Sequence, residues 1–530
     1  MLHFTISLDF SKSPQQWQWT DFFRYIIIKG GFFMLGFWRS HCDYQKFVVN
    51  ELSSIAHINP HALFEYESGI SKLYILNLDE LKRIIAPLYS ITGRPSNSQP
   101  EIFRSLILMN HLGIPLDKWT TKLKNSFVLR TIAGFTSENI PQVASYYDFI
   151  NRIIKLDERS KLKKKKRKPS KKIGKGKKLP PKHPNIVARL VDKIVDGRRL
   201  NNRPELILQK IFADVCVKQS INLGLVNQTV SISGDGTCIK TGASSFGVKT
   251  CKCSESGNYH CDCTRKFSDP NATWGWDSHK DQWFYGYTGY FISTYNKVLK
   301  LDLPLYLRLV DAKRHDSVSA VVALSEFKDL FPNLIIDTFI SDSASDNYPT
   351  YELLDHFNIN AVIALNSKNK GNFKYPLHLS IDENGVPICS GGNKMVAYGF
   401  NAKDRCRLKW RCPRVLGKTE ACSACENCSK SAYGRVVYTK PSWDLRLFAK
   451  IPRGSERWKL KMNERTAAER VNNRILNNYG IENSKVRGKK RISFFTTIAG
   501  FNIHLDAQLA KLKSDKLFDF RDIFNISQAA

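Results

Sequence analysis

Between residues 229 and 365, apolar runs and helical spacings follow one another in an order that restricts the fold more than any other feature of the chain. Runs rich in Val, Ile, Tyr and Phe at 229–233, 284–294 and 304–311 read as strands. A helix follows at 317–330, opened by the capping signals of the segment HDSVS. A strand at 334–341, a helix at 348–357 and a strand at 361–365 complete the series. Such an alternation predicts an α/β domain with helices packed on a sheet. Asp235 closes the first strand, in TVSISGDGT, and Asp342 closes the fourth, in LIIDTFISDS. Glu469 falls in a later helical stretch, RTAAERVNNRI.

Three carboxylates carried by two strand ends and a helix can hold two divalent metal ions. Two such ions clamp both the attacking and the leaving oxygen of an in-line phosphoryl transfer, with no covalent enzyme intermediate. Each acid also has a plain structural reading. The GDG of Asp235 can be a turn, and Asp346 competes with Asp342 or caps a helix. Arg465 and Glu469 stand one helical turn apart and can form a surface ion pair. Glu464 points away from Glu469 around the helix, so only one of them can face a metal. His315 and Asp316 read as helix-capping residues.

The charge balance bears on the partner. The chain has 81 Lys+Arg against 48 Asp+Glu, a formal net charge of +33. That excess opposes compaction unless a polyanion neutralises it, which points to a nucleic-acid partner. With 42% hydrophobic residues the chain can bury a large core, in roughly two to four domains. The N-terminus lacks the charged n-region and small-residue cleavage site of an export signal, so a cytoplasmic location is expected. The apolar stretch 22–38 is short for a membrane span and is interrupted by Arg24, Lys29, Gly30 and Gly31, so a buried element is expected and no membrane partner.

Composition and periodicity divide the chain into seven parts. Residues 1–77 give a mixed signal. Residues 78–156 are helical and a candidate for DNA binding; the stretch IPQVASYYDFINRII within them could lie in a groove or simply pack. Residues 157–185 form a Lys-rich linker, expected to be disordered and able to pair with phosphates without reading sequence. Residues 186–365 begin the catalytic core, 366–457 form a β-rich insert, 458–510 complete the core with the Glu469 helix, and 511–530 are a C-terminal tail.

The order of three strands, helix, strand, helix, strand and a later acid-bearing helix resembles a ribonuclease H-like core. Taken together, GDGT, SDSASDNY and RTAAERVNNR resemble the DDE transposases of prokaryotic insertion sequences, in the group with a β-rich insert between the second Asp and the Glu. CTRKFSDPNATWGWDSHKDQWFYGYTGY, DAKRHDSVSAVVAL and GRPSNSQPEIFRSLIL add to the likeness, which covers about 93–507. The resemblance implies catalytic Asp235, Asp342 and Glu469 holding two Mg2+ ions, for which Mn2+ may substitute. It implies a protein, nucleoid-associated and at least dimeric on DNA, that binds terminal inverted repeats, cleaves strands and transfers them to target DNA. Relatives carry Y-x2-R-x3-E-x6-K around the Glu. Here Arg465 and Glu469 match, whereas Met462 and Leu476 replace the Tyr and the Lys. Arg465, Arg470, Arg474, Lys489, Lys490 and Arg491 are the expected DNA contacts.

Two cysteine groups remain. Thirteen cysteines in a cytoplasmic chain read as thiols or metal ligands rather than disulfides. Cys412, Cys422, Cys425 and Cys428 are candidate structural zinc ligands through their C-x2-C-x2-C run. Cys251, Cys253, Cys261 and Cys263 are the weaker pattern, because ligands separated by one residue crowd a small ion. Two other readings of the chain stand beside the first: a metal-dependent nuclease or inactive DNA-binding relative, and a non-enzymatic zinc-and-lysine DNA-binding protein.

Overall fold

A computed structural model describes residues 35–155, 163–164, 185–200, 206–367, 376, 378–420, 422–424 and 428–526. Most of the apolar segment 22–38, nearly all of the Lys-rich linker, and Cys425 lie outside the described residues. Among the described residues no helix is long and apolar enough to cross a membrane.

The central sheet is mixed. Strand β1 is Thr229–Lys240, β2 Gln282–Asn296, β3 Leu301–Asp311, β4 Ile335–Ser341 and β5 Asn360–Ile363. β1 pairs antiparallel with β2, which pairs antiparallel with β3. On its other side β1 pairs parallel with β4, and β4 parallel with β5. A strand absent from the sequence expectations, Thr273–Asp277, pairs with the first residues of β2. Its alternation is carried by Trp274 and Trp276, both exposed, so it lacked a burial signal. Helix α1, Asp316–Leu330, joins β3 to β4, and α2, Tyr348–His356, joins β4 to β5, within one or two residues of the expected bounds. Parallel neighbours need such crossovers.

Further along, α3 is Thr466–Asn473, and α4 is the 26-residue helix Lys489–Ser514. α4 is apolar on nearly every side because it is covered on several. Phe501 packs edge-on to Phe103 and Phe212 at 5.2 and 5.7 Å between ring centres. Asn502 Nδ2 donates to the Ile107 carbonyl at 3.1 Å. Among the described residues helices begin at His41, well before the expected start at 78, and their buried side chains join those of the sheet in one continuous apolar cluster. In Val143–Ile153 the face of Tyr146, Phe149, Ile150 and Ile153 is buried, so that stripe serves packing.

Inside α4, His504 is fully buried and accounts for both ring nitrogens. Nε2–H donates to the Pro304 carbonyl at 2.7 Å, so Nδ1 accepts from the Ser220 hydroxyl at 2.7 Å; that hydroxyl in turn accepts from Gln508. Burial lowers the His504 pKa from 6.5 to about 4. A histidine depressed in the folded state stabilises above its unfolded pKa, and that contribution is lost as pH falls from about 6.5 through 4. The expected loss is about 3 kcal/mol. In urea unfolding at pH 7.5 and 4.5, His504→Gln is therefore expected to be less acid-sensitive than the parent; equal acid sensitivity would contradict this.

Residues 380–439 contain two further small sheets. Val396–Asn401, Arg407–Arg411 and Val436–Thr439 form an antiparallel sheet, and Ser380–Ile381 pairs with Pro387–Ile388. Val386, Met395, Leu408, Trp410, Leu447 and Phe448 make a separate small core beneath it.

Candidate active site

The β1–β4 register runs to Ser233↔Ile340. Carried two residues further, it sets Asp235 beside Asp342, just past the point where β4 and its parallel pairing with β1 end. The Asp-Gly pair of GDGT is not a turn, because β1 runs through it to Lys240. The two glycines have a different purpose. A Cβ on Gly234 would run into the Tyr290 hydroxyl, and one on Gly236 would lie 2.5 Å from Asp316 Oδ1. The motif thus leaves room for a tyrosine and a further carboxylate against the strand that bears Asp235.

Asp316 is the residue that sequence reasoning misassigned. His315 does cap α1, its Nδ1 accepting from the Ser317 amide at 3.3 Å. Asp316, the next residue, sends its carboxylate to β1 instead. Burial and then the neighbouring Asp342 raise its pKa to about 6. The pKa of Asp235 rises to about 7, first through burial and then through Asp342 and Asp316, with Arg465 opposing and Glu469 adding to the rise. Asp342, Asp316 and Glu469 thus all lie within electrostatic reach of Asp235. Close carboxylates in a low-dielectric site repel one another and hold protons until a cation joins them.

The competitors are accounted for elsewhere. Asp346 is fully buried and bound by Arg446, with Nε at 2.9 and 3.0 Å and Nη2 at 2.7 Å. It also accepts from the Tyr351 hydroxyl and the Asn366 amide. Asp342, by contrast, accepts a capping bond from the Ala344 amide at 3.0 Å through Oδ1. Glu464 is buried and paired with Lys297 at 2.8 Å. Glu469 is half exposed and takes Arg465 Nη2 at 2.6 Å. The surface ion pair expected between them is present, and it lies close enough to Asp235 for both members to act on it. Asn472, one turn after Glu469 on the same helix face, donates to Asp235 Oδ2 at 2.9 Å. The E-x2-N spacing carried that signal unread.

The expected basic contacts fare differently. Arg470 forms a forked pair with Asp302 at 2.5 and 2.8 Å, and Arg474 reaches the Asp302 carbonyl and Asp506. At the start of α4, Lys490 donates to the Lys155 carbonyl and Arg491 to Asn151, while the Lys489 amide donates to Tyr287. Met462 and Leu476, which replace the Tyr and Lys of the resembling pattern, are packing residues: Met462 against Ile340, Val362 and Ile451, and Leu476 in the main core.

At the insert, the expected zinc set is described only in part, because Cys425 lies outside the described residues. Among the described residues Cys412, Cys422 and Cys428 do not form a group with all three sulfurs within metal-ligating reach; Cys412 is buried and Cys428 accepts from Ser390.

No curated protein matches the chain. Residues 388–505 match the model of a family described as a transposase DDE domain. The match takes in much of the insert, all of α3 with Glu469, and most of α4, and leaves Asp235, Asp342 and Asp316 outside it. Over 388–505, therefore, this chain is similar to the DDE domain of transposases.

Proposed function

We propose that the chain is a DDE transposase with a ribonuclease H-like core, which binds the ends of its insertion sequence and carries out metal-dependent strand cleavage and strand transfer on double-stranded DNA. The observation that carries this reading is the convergence of Asp235, Asp342 and Glu469, with Asp316 beside them, in the domain whose later part is similar to a transposase DDE domain. Helical residues 78–156 and the Lys-rich linker 157–185 would precede the core, and the protein would act as a homodimer on the nucleoid.

The residues fit a hard divalent cation. The donors are carboxylate oxygens, the kind Mg2+ and Mn2+ prefer, and two of the acids, Asp235 and Asp316, are held above their usual pKa by burial and then by Asp342. Asp235, Asp342 and Glu469 would hold the metals, with Asp316 as a further ligand. When bound, the metals supply an activated water or 3′ hydroxyl and stabilise the leaving oxygen. The rest is done by the chain's own side chains. Asn472 holds Asp235 Oδ2 and fixes the carboxylate's orientation. Arg465 holds Glu469 and brings a positive charge where a DNA phosphate would approach. Lys489, Lys490 and Arg491 at the start of α4 add backbone contacts. Arg470 and Arg474 would reach DNA only by leaving Asp302 and Asp506, so their contribution is the smaller.

The test is cleavage and joining of DNA carrying the element's ends with Mg2+, comparing the parent with Glu469→Gln and Asp316→Asn. Cutting and joining by the parent, DNA binding alone by Glu469→Gln, and at least a tenfold loss in Asp316→Asn are expected. Equal cutting by Glu469→Gln would remove that residue from the site. Metal-independent cutting would remove the reading altogether.

A further inference from the structure

The segment between β1 and Thr273–Asp277 leaves the main sheet as a hairpin with no apolar core. None of residues 244–268 is buried, and Phe246, Val248 and Tyr259 are 80, 71 and 65% exposed. Its paired strands, Val248–Lys249 and Arg265–Lys266, are two residues each, joined at the edge by Lys163–Lys164. Ladders this short do not hold a hairpin in water. The base is secured: Asp269, nearly fully buried, accepts from the Thr241 hydroxyl at 2.8 Å, the Tyr287 hydroxyl at 2.6 Å and the Gly488 amide at 2.9 Å. Farther out, the arms are joined by exposed bonds such as that from the Thr250 hydroxyl to the Thr264 carbonyl at 3.2 Å.

That far end carries Cys251 and Cys253 on one arm and Cys261 and Cys263 on the other. All four sulfurs lie within 4.8 Å of one another. The closest approaches run across the arms, Cys251 to Cys261 at 3.4 Å and Cys253 to Cys263 at 3.6 Å. With zinc–sulfur bonds of about 2.3 Å, a tetrahedral site has sulfur–sulfur edges of about 3.8 Å. The expected crowding of two ligands one residue apart does not arise. The turns at 251–257, with Gly257 at φ 78°, curl the first arm so that each Cys-x-Cys spans one edge of the tetrahedron. Two separate cystines would need closeness only within pairs, whereas here every sulfur is near every other.

We propose that Cys251, Cys253, Cys261 and Cys263 form a closed tetrathiolate site for one Zn2+, which holds this hairpin in place of a hydrophobic core. Four thiolates saturate the ion and leave no open position, so the site is structural. Its binding energy is local folding energy, because the ligands are not assembled in the unfolded segment. Loss of the metal releases residues 244–268 and leaves the main core standing. The inference is independent of the transposase reading.

The test uses the full chain, purified under reducing conditions. Elemental analysis is expected to find zinc, and the double variant Cys251→Ser, Cys261→Ser to contain one equivalent less, while Cys412→Ser retains the parent's content. Chelation of the parent is expected to open tryptic sites at Lys249, Lys252, Arg265 and Lys266, identified by mass spectrometry, and added Zn2+ but not Mg2+ to close them. This second arm needs no variant, so it decides the matter even where the double variant fails to fold. The proposal is overturned by unchanged zinc in a folded double variant, by iron in place of zinc, by thiol titration showing two cystines, or by tryptic sites in the hairpin that zinc does not protect.

Discussion

Asp235→Asn is expected to make the metal-free protein more stable at pH 8 while abolishing Mg2+-dependent DNA cleavage. The sign follows from the direction of the shift. Asp235 is raised in the folded state to about 7, so the stability linked to its protonation is complete below the unfolded value of 3.8 and is lost as pH rises through 7. At pH 8 the folded protein carries a buried carboxylate beside Asp342 and Asp316. Replacing it with an amide of the same shape relieves that repulsion and keeps an oxygen for Asn472 to bond. The gain is on the order of 2–4 kcal/mol, and it shrinks toward zero by pH 4. Cleavage should fall at least about a thousandfold, equivalent to roughly 4 kcal/mol of transition-state stabilisation. Urea unfolding at pH 8 and pH 4 without divalent ions checks the first half, and cleavage of end-bearing DNA checks the second. A variant less stable than the parent at pH 8 would show that the acids are not a strained cluster. Added Mg2+ should stabilise the parent at pH 8 and leave the variant nearly unchanged, because a ligand that binds only the folded state raises its stability by mass action.

The second large effect lies where the insert meets the core. Arg446 and Asp346 are both buried, and their forked pair is the principal polar link between the insert and the loop that follows Asp342. Removing one partner of such a pair leaves the other charge without compensation. Arg446→Met is expected to destabilise the protein by about 3–5 kcal/mol. Adding Asp346→Asn should recover part of that loss, because the amide retains an oxygen for Tyr351 and the Asn366 amide while removing the stranded charge. Chemical unfolding of the single and double variants gives the coupling energy. A single-variant effect below about 1 kcal/mol would mean that water reaches the pair and screens it.

The strand and helix order from β1 to β5 was legible because each segment carries its own period, and α1, α2, β4 and β5 were placed to within one or two residues. Thr273–Asp277 was missed because its tryptophans face outward. Of the helices before residue 78, Glu67–Ile75 packs against α4, which lies more than 400 residues later in the chain, and His41–Ile58 packs against Phe127–Ile132, so their burial depends on partners outside the local sequence. Among the acids, local sequence could not choose between Asp342 and Asp346. That choice turns on Arg446, which comes a hundred residues later. Asp316 looked like a cap because it sits next to one, and its meeting with Gly236 depends on how α1 packs against β1.

Sequence alone was enough to determine the α/β order, the β-rich insert and the cationic excess, since each depends on composition or on a period a few residues long; the three acids worth testing came from the resemblance of their motifs taken together. Tertiary structure alone decided which carboxylates are bound by arginine and which repel one another, and that the two Cys-x-Cys pairs gather while three described cysteines of the other group do not. Those outcomes rest on distances of a few ångströms between segments far apart in the chain. Spacing along the sequence carries no information about such distances until the sheet and the helices packed on it have formed.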